Sequence, residues 1–247
     1  MKVVLEVRRY NPESDGEPHF ERYEVDVNPT DRVLDALMFI KRTKDRTLTF
    51  RRSCAHGVCG SDAMRINGRE ALACKTLIQD VAGSEGEVIR LEPLRHLEVE
   101  RDLMVQQAPF FERFERVKPF LIPAEKTGPG EYIQTPEDRE QIDDATKCIL
   151  CQACMSACPV MDKNPKFIGP AAIVQAARFV FDSRDAGFEE RLAVLDHPDG
   201  VWSCENHFEC TRVCPRGIKV TKLINLTKRK ITAFRKDRGE KTAEPET

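Results

Sequence analysis

No stretch of this sequence strings together the roughly 18 nearly uncharged apolar residues that a membrane-spanning helix needs. The best apolar run, Ala171 to Phe181, contains Gln175 and Arg178, so the chain is not expected to cross a bilayer. Neither charge is in surplus: 39 Lys and Arg stand against 41 Asp and Glu, a formal net charge of −2. Such a balance gives nucleic acid no electrostatic footing, and no nucleic-acid partner is expected. Met1 leads directly into the alternation Val3, Leu5, Val7. Neither a charged start with an apolar core nor an Arg- and Ser-rich leader precedes it, so the protein is expected to stay on the side where it is made.

What the sequence does hold is ten cysteines in 247 residues, too sparse for a disulfide scaffold and, without a secretion signal, expected in a reducing compartment. Metal ligation or redox chemistry becomes the default reading. The cysteines form two groups, Cys54, Cys59 and Cys74, then Cys148, Cys151, Cys154, Cys158, Cys204, Cys210 and Cys214. The length permits one large domain or two small ones with a real core, and the gap between the groups favours two.

Lys2 to Arg8 and Tyr23 to Val27 alternate like strands around a Pro- and Gly-containing turn at Asn11 to Pro18, which predicts a hairpin. Thr30 or Asp31 can cap a helix whose Val33, Leu34, Leu37, Phe39 and Ile40 share one apolar face. Ala63 to Ile66 and Ala71 to Ala73 flank Asn67-Gly68, a pair suited to a type I′ turn, and predict a second hairpin. Val88 to Leu91 adds a late strand, giving a small mixed sheet crossed by one helix. From about Arg101 the pattern becomes helical, punctuated by Pro109, Pro119, Pro123, Pro129 and Pro136. Helices are expected over 102–117, 136–146, 170–183, 186–195 and 218–235. The division is therefore 1–100, 101–238 and a polar, disordered tail over 239–247.

Cys54-x4-Cys59-x2-Asp62-x11-Cys74 follows the plant-type pattern for a 2Fe-2S cluster, with an aspartate in the third position. A carboxylate is a hard oxygen donor that ferric iron accepts, so Asp62 reads as a ligand; the alternative is that it only opens the second hairpin. Gly57 and Gly60 let the loop wrap closely. His56 reads as loop structure, because a Rieske-type centre needs two histidines.

Cys148 to Pro159 is C-x2-C-x2-C-x3-C-P, the bacterial ferredoxin run whose fourth cysteine reaches the neighbouring cluster. Cys204 to Pro215 repeats it with His207 in place of one cysteine. By that crossover rule Cys148, Cys151, Cys154 and Cys214 hold a 4Fe-4S cluster. Cys158, Cys204 and Cys210 remain, three thiolates suited to a 3Fe-4S cluster. The alternative, structural zinc in paired Cys sites, fits less well because these ligands are packed more densely than zinc knuckles. Pro159 and Pro215 stop the backbone continuing as helix.

Together with these runs, the segments Arg9-Tyr10-Asn11-Pro12, Ala73-Cys74-Lys75-Thr76, Ile133-Gln134-Thr135-Pro136, Asn164-Pro165-Lys166-Phe167-Ile168-Gly169-Pro170-Ala171, Asp182-Ser183-Arg184-Asp185 and Val201-Trp202-Ser203-Cys204 make the chain resemble the iron–sulfur subunit of the succinate dehydrogenase/fumarate reductase family. The resemblance covers nearly the whole chain. It implies an α+β protein of two domains: an N-terminal β-grasp, plant-type ferredoxin domain docked on an FAD-containing flavoprotein, and a C-terminal all-α, bacterial-ferredoxin-like domain against one or two membrane anchor subunits. Electrons would pass from FAD through the 2Fe-2S, 4Fe-4S and 3Fe-4S clusters to quinone, with the dicarboxylate chemistry and all catalytic residues in the partner.

The subunit is expected at the cytoplasmic face of a bacterial plasma membrane, in a succinate:quinone oxidoreductase. The alternatives are a fumarate reductase running in reverse, or a ferredoxin-like subunit of another flavoprotein. Pro159, Lys163, Glu205 and His207 are expected near the quinone. Relatives that use ubiquinone carry a tryptophan shortly after the first run. Lys163 stands nearest that place here and the sole tryptophan is Trp202, so menaquinone is expected. His207 is read as a polar group near the cluster or quinone, with Glu205 assisting proton delivery, rather than as an iron ligand. The last helix carries a basic face that suits either anionic headgroups or solvent.

Overall fold

A computed structural model describes residues 1–125 and 130–239. The chain forms two compact units, one of Met1–Pro109 with Ile149–Ala157 and Val213–Pro215, the other of Phe110–Cys148, Cys158–Arg212 and the chain from Arg216 onward.

In the first unit, β1 (Lys2–Arg9) and β2 (His19–Asp26) pair antiparallel as the alternation predicts, and helix α1 (Val33–Thr43) follows. The second hairpin is β3 (Ala63–Ile66) and β4 (Arg69–Leu72), turned by Asn67 and Gly68 at φ 49° and 79°. A short helix α2 (Ile78–Val81) leads to β5 (Val88–Glu92), which lies parallel to β1 and antiparallel to β3, in the order β2-β1-β5-β3-β4. This is a β-grasp sheet, with Val3, Leu5, Val7, Ile89 and Leu91 wholly buried together with Val33, Leu37 and Ile40 of α1. Burying each such side chain is worth about 1.5–3 kcal/mol.

Two details differ from expectation. The cap of α1 is Arg32, whose amide donates to the Asp35 carboxylate at 3.0 Å, while Asp31 turns back to accept from the Asn28 amide at 2.8 Å. Phe39 is 44% exposed, and Ala36 joins the buried face instead.

The expected helix over 102–117 begins only at Ala108. Before it lies a small hairpin, β6 (Val99–Arg101) and β7 (Met104–Val105), turned at Asp102 with φ 48°. The cause is electrostatic. Buried Asp102 accepts from Arg9 Nε at 3.1 Å, from the Tyr10 amide at 3.0 Å and from the Thr49 amide at 2.8 Å. Arg9 also pairs with Glu21 at 2.6 Å and with Asp45 and Tyr23. Helix backbone at Asp102 would break this hub.

The second unit has no strand among its described residues. Helices α3 (Ala108–Arg116) and α4 (Pro136–Thr146) come first, α4 capped by the Thr135 hydroxyl accepting from the Asp138 amide at 3.2 Å. Helix α5 (Ala153–Ser156) belongs to the first unit, and α6 (Val160–Lys163) to the second. The apolar run noted above becomes α7 (Pro170–Val180), buried almost all round as the central helix and packed by α4, α8 (Phe188–Leu195) and the last helix. After α9 (Glu209–Arg212), α10 (Val220–Asp237) buries Val220, Leu223, Ile224, Thr227 and Ile231. Of its basic residues, Lys228, Lys230, Arg235 and Arg238 are engaged within the chain, while Lys222, Arg229 and Lys236 are exposed. Pro129 and the tail from Glu240 lie outside the described residues.

Candidate metal centres

The loop from Cys54 to Asp62 is wrapped by left-handed backbone at Ala55, Gly57 and Gly60, with φ 57°, 81° and 70°. This turns amides inward. The Cys59 amide donates to Cys54 Sγ at 3.3 Å and the Cys54 amide to Cys59 Sγ at 3.5 Å. Hydrogen bonds from the His56 amide first, then from Cys59 and Val58, pull the Cys54 thiol down to about 6, which is what a thiolate ligand requires. At Gly60 a Cβ would stand 2.6 Å from Cys151 Cβ and 3.0 Å from its Cα, so only glycine fits.

Asp62, 3% exposed, closes the loop just before β3. Its Oδ2 accepts from the Cys74 amide at 2.5 Å. Cys74 is wholly buried, and burial, then Asp62, pushes its thiol up to about 12. Cys54, Cys59, Asp62 and Cys74 are thus brought together. Ser61, which the spacing alone did not single out, places its hydroxyl 3.1 Å from Cys59 Sγ.

A second set forms within the helical unit. Cys158 precedes α6, Cys204 follows a single 3-10 turn at Val201–Ser203, and Cys210 lies in α9. All three line a small, largely apolar cavity walled by Phe167, Thr221 and Ile224. Burial pushes the Cys158 thiol up to about 11 and raises that of Cys210; Cys158 also feels the thiols of Cys210 and Cys204, and Cys210 that of Cys204. Asn206 and Phe208 adopt φ 59° and 66°, twisting the chain around the cavity, and Lys228 Nζ holds the Cys204 carbonyl at 2.8 Å. Thr211 and Thr221 flank Cys210, a contact that no local spacing announces.

Pro159, Glu205 and His207 line the same cavity. Glu205 sits between two partners, Lys163 Nζ at 2.9 Å and His207 Nε2 at 2.8 Å, and both hold its carboxyl below the usual range, Lys163 more. The four residues expected near a quinone are therefore close together. Trp202 has another role: its Nε1 donates to Asp196 at 2.7 Å, and Arg235 covers its ring.

Of the remaining set, Cys151, Cys154 and Cys214 belong to the first unit and Cys148 follows α4 in the second. Leu150 and Gln152, at φ 55° and 68°, give the first run its tight turns. Among the described residues no three His, Cys, Asp or Glu side chains converge as they would on a single metal ion. The donor sets nevertheless fit clusters: soft thiols in groups of three and four, one hard carboxylate, inward amides and an apolar cavity.

Comparison with known proteins supports this chemistry. Residues 4–112 match the family model described as a 2Fe-2S iron-sulfur cluster binding domain, and residues 144–218 match the 4Fe-4S dicluster domain. A protein of Mycobacterium tuberculosis named fumarate reductase iron-sulfur subunit is 42% identical over 219 residues, covering 88% of this chain and 87% of its own. A protein of the same name from Haemophilus influenzae is 39% identical over 233 residues, covering 90% of each. Among solved structures, a chain of the Mycobacterium smegmatis Sdh1 complex in the apo form superposes with a TM-score of 0.84 at 28% identity, over 100% of this chain and 99% of that one.

Proposed function

The chain belongs to the iron–sulfur subunits of the succinate dehydrogenase/fumarate reductase family, and from that premise we propose that it carries electrons from the FAD of a partner flavoprotein to a membrane quinone. The proposed direction is succinate oxidation with menaquinone as acceptor. One or two anchor subunits hold the chain at the cytoplasmic face of a bacterial plasma membrane. The ligand sets are Cys54, Cys59, Asp62 and Cys74 for 2Fe-2S, Cys148, Cys151, Cys154 and Cys214 for 4Fe-4S, and Cys158, Cys204 and Cys210 for 3Fe-4S. When bound, the clusters supply one-electron carriers between flavin and quinone.

The chain's own residues provide the rest. Amides of the 54–62 loop stabilise thiolate at Cys54, and the apolar walls around Cys158 and Cys210 keep water from their sulfurs. At the same cavity His207 Nε2 is hydrogen-bonded to Glu205, whose carboxyl Lys163 holds below the usual range, a place from which a proton can follow electrons to a quinone. The observation that carries the reading is that ten cysteines and Asp62 divide among three cluster sites without remainder, inside two regions matched to cluster-binding domains. Isolation of the membrane complex tests it: flavin, acid-labile sulfide and three distinct EPR signals should co-purify, and a colourless, flavin-free preparation would refute it.

Fumarate reduction is the second reading, favoured by the names of the two curated relatives. Rates in both directions, with quinones of high and low potential, decide between them.

Two further results are expected. Asp62→Cys should retain a two-iron cluster but change its EPR spectrum and potential, because ligand type sets both; a spectrum and potential matching wild type would remove Asp62 from the ligand set. Alkaline or chaotropic washing should strip the chain from membranes, since no helix among the described residues is long and apolar enough to cross one. Retention after such washing would contradict attachment through other subunits.

A further inference from the structure

Thr221 sits in the first turn of α10, 1% exposed, with Oγ1 3.5 Å from Cys210 Sγ. Its amide donates to Thr211 Oγ1 at 3.0 Å, and the two hydroxyl oxygens are 3.1 Å apart. These contacts dictate which way the hydroxyls point. A metal-bound thiolate only accepts, so toward Cys210 the donor is Thr221. The Thr221 oxygen is then free to accept, and Thr211, whose own oxygen already accepts from the Thr221 amide, donates to it. The result is a short relay: Thr221 N–H to the Thr211 oxygen, Thr211 O–H to the Thr221 oxygen, Thr221 O–H to sulfur. Each bond polarises the next where water is excluded.

We propose that Thr221, supported by Thr211, is a positioning residue that sets the reduction potential of the three-iron centre by donating a hydrogen bond to Cys210. The proposal rests on assigning Cys158, Cys204 and Cys210 to that centre. An added electron spreads negative charge onto the sulfurs, and a donor aimed at one of them stabilises that charge, raising the potential. One electron enters and one leaves; no proton changes oxygen and no thiolate bond breaks. Among the described residues neither Cys158 nor Cys204 receives a side-chain hydroxyl, so the effect falls on one ligand. Such a donor suits a carrier at the downhill end of a chain, where a higher potential draws electrons onward.

The test is a redox titration of the whole membrane complex, following the oxidised three-iron EPR signal. Thr221→Val keeps the branched shape and loses the donor. It should make the cluster about tenfold poorer at accepting an electron, a fall of about 59 mV for a one-electron couple. Thr221→Ser, which keeps the hydroxyl, should stay near wild type, and Thr211→Val should shift the potential the same way by less. An unshifted Thr221→Val overturns the relay. So does a Thr221→Ser shift as large as that of valine, which would assign the effect to packing. If Thr221→Val fails to hold a cluster, Thr211→Val decides alone, and no shift there overturns the proposal. A wild-type complex without a three-iron signal would instead remove the ligand set, and the relay with it.

Discussion

Replacing His207 with cysteine should convert the proposed three-iron centre into a four-iron one and slow quinone reduction sharply. The two runs match in ligand spacing except that Cys151 of the first corresponds to His207 of the second. The structure sets His207 at the cavity that Cys158, Cys204 and Cys210 line, so a thiolate there supplies the missing corner. The imidazole itself is committed elsewhere, with Nε2 2.8 Å from Glu205. That pair is exposed, and exposed ion pairs contribute little to stability, so folding should be little affected. The oxidised three-iron EPR signal should vanish, a reduced four-iron signal should replace it, and the potential should fall. Each 59 mV lost disfavours electron acceptance about tenfold, and quinone reduction should slow accordingly. Persistence of the three-iron signal in the variant, or its absence from wild type with iron on His207, would defeat the assignment.

Arg191→Met should destabilise the helical unit by about 3–5 kcal/mol, because it strands a buried carboxylate. Arg191 and Asp185 side chains are 0% and 1% exposed and paired at 2.7 Å. The guanidinium also donates to the Phe120 carbonyl at 2.8 Å and the Lys118 carbonyl at 3.1 Å. Asp185 in turn accepts from the Ile122 amide at 2.9 Å and the Gly187 amide at 2.7 Å. One ion pair thus fastens the chain over 118–122 to α8. Thermal unfolding should drop on the order of 10 °C. Arg191→Met combined with Asp185→Leu should recover part of the loss, since an apolar pair of similar bulk removes the stranded charge. A single variant that melts with wild type would show that the pair carries no stability.

Much of this was readable because it is local. The cysteine runs repeat over a few residues, and β1, β3 and β5 alternate with period two against one buried face. The hidden features are long-range. Asp102 breaks the expected helix for Arg9, 93 residues earlier. The Arg9-Tyr10-Asn11-Pro12 and Asp182-Ser183-Arg184-Asp185 segments were visible as signatures, but only the structure shows that Arg9 and Asp185 are centres of buried charge networks. Phe39 fitted the helical period of α1 yet lies on its exposed side, since period fixes a face only to within a residue or two. Thr221 meets Cys210 through the packing of α10 against α9, and Glu205, His207 and Lys163 meet through side chains that spacing cannot aim.

Gly60 also bears on speed. Electrons cross between separate redox groups by tunnelling, which weakens exponentially as the intervening gap widens. Where any other residue would place a carbon 2.6 Å from Cys151 Cβ, glycine has only a hydrogen, and the backbone of the first cysteine loop closes directly onto the first ferredoxin-type run. A methyl there would act as insulation, prising the two apart by about an atom's breadth. The smallest side chain in the protein thereby keeps the spacing short at the point where, on the proposed route, current leaves the β-grasp loop.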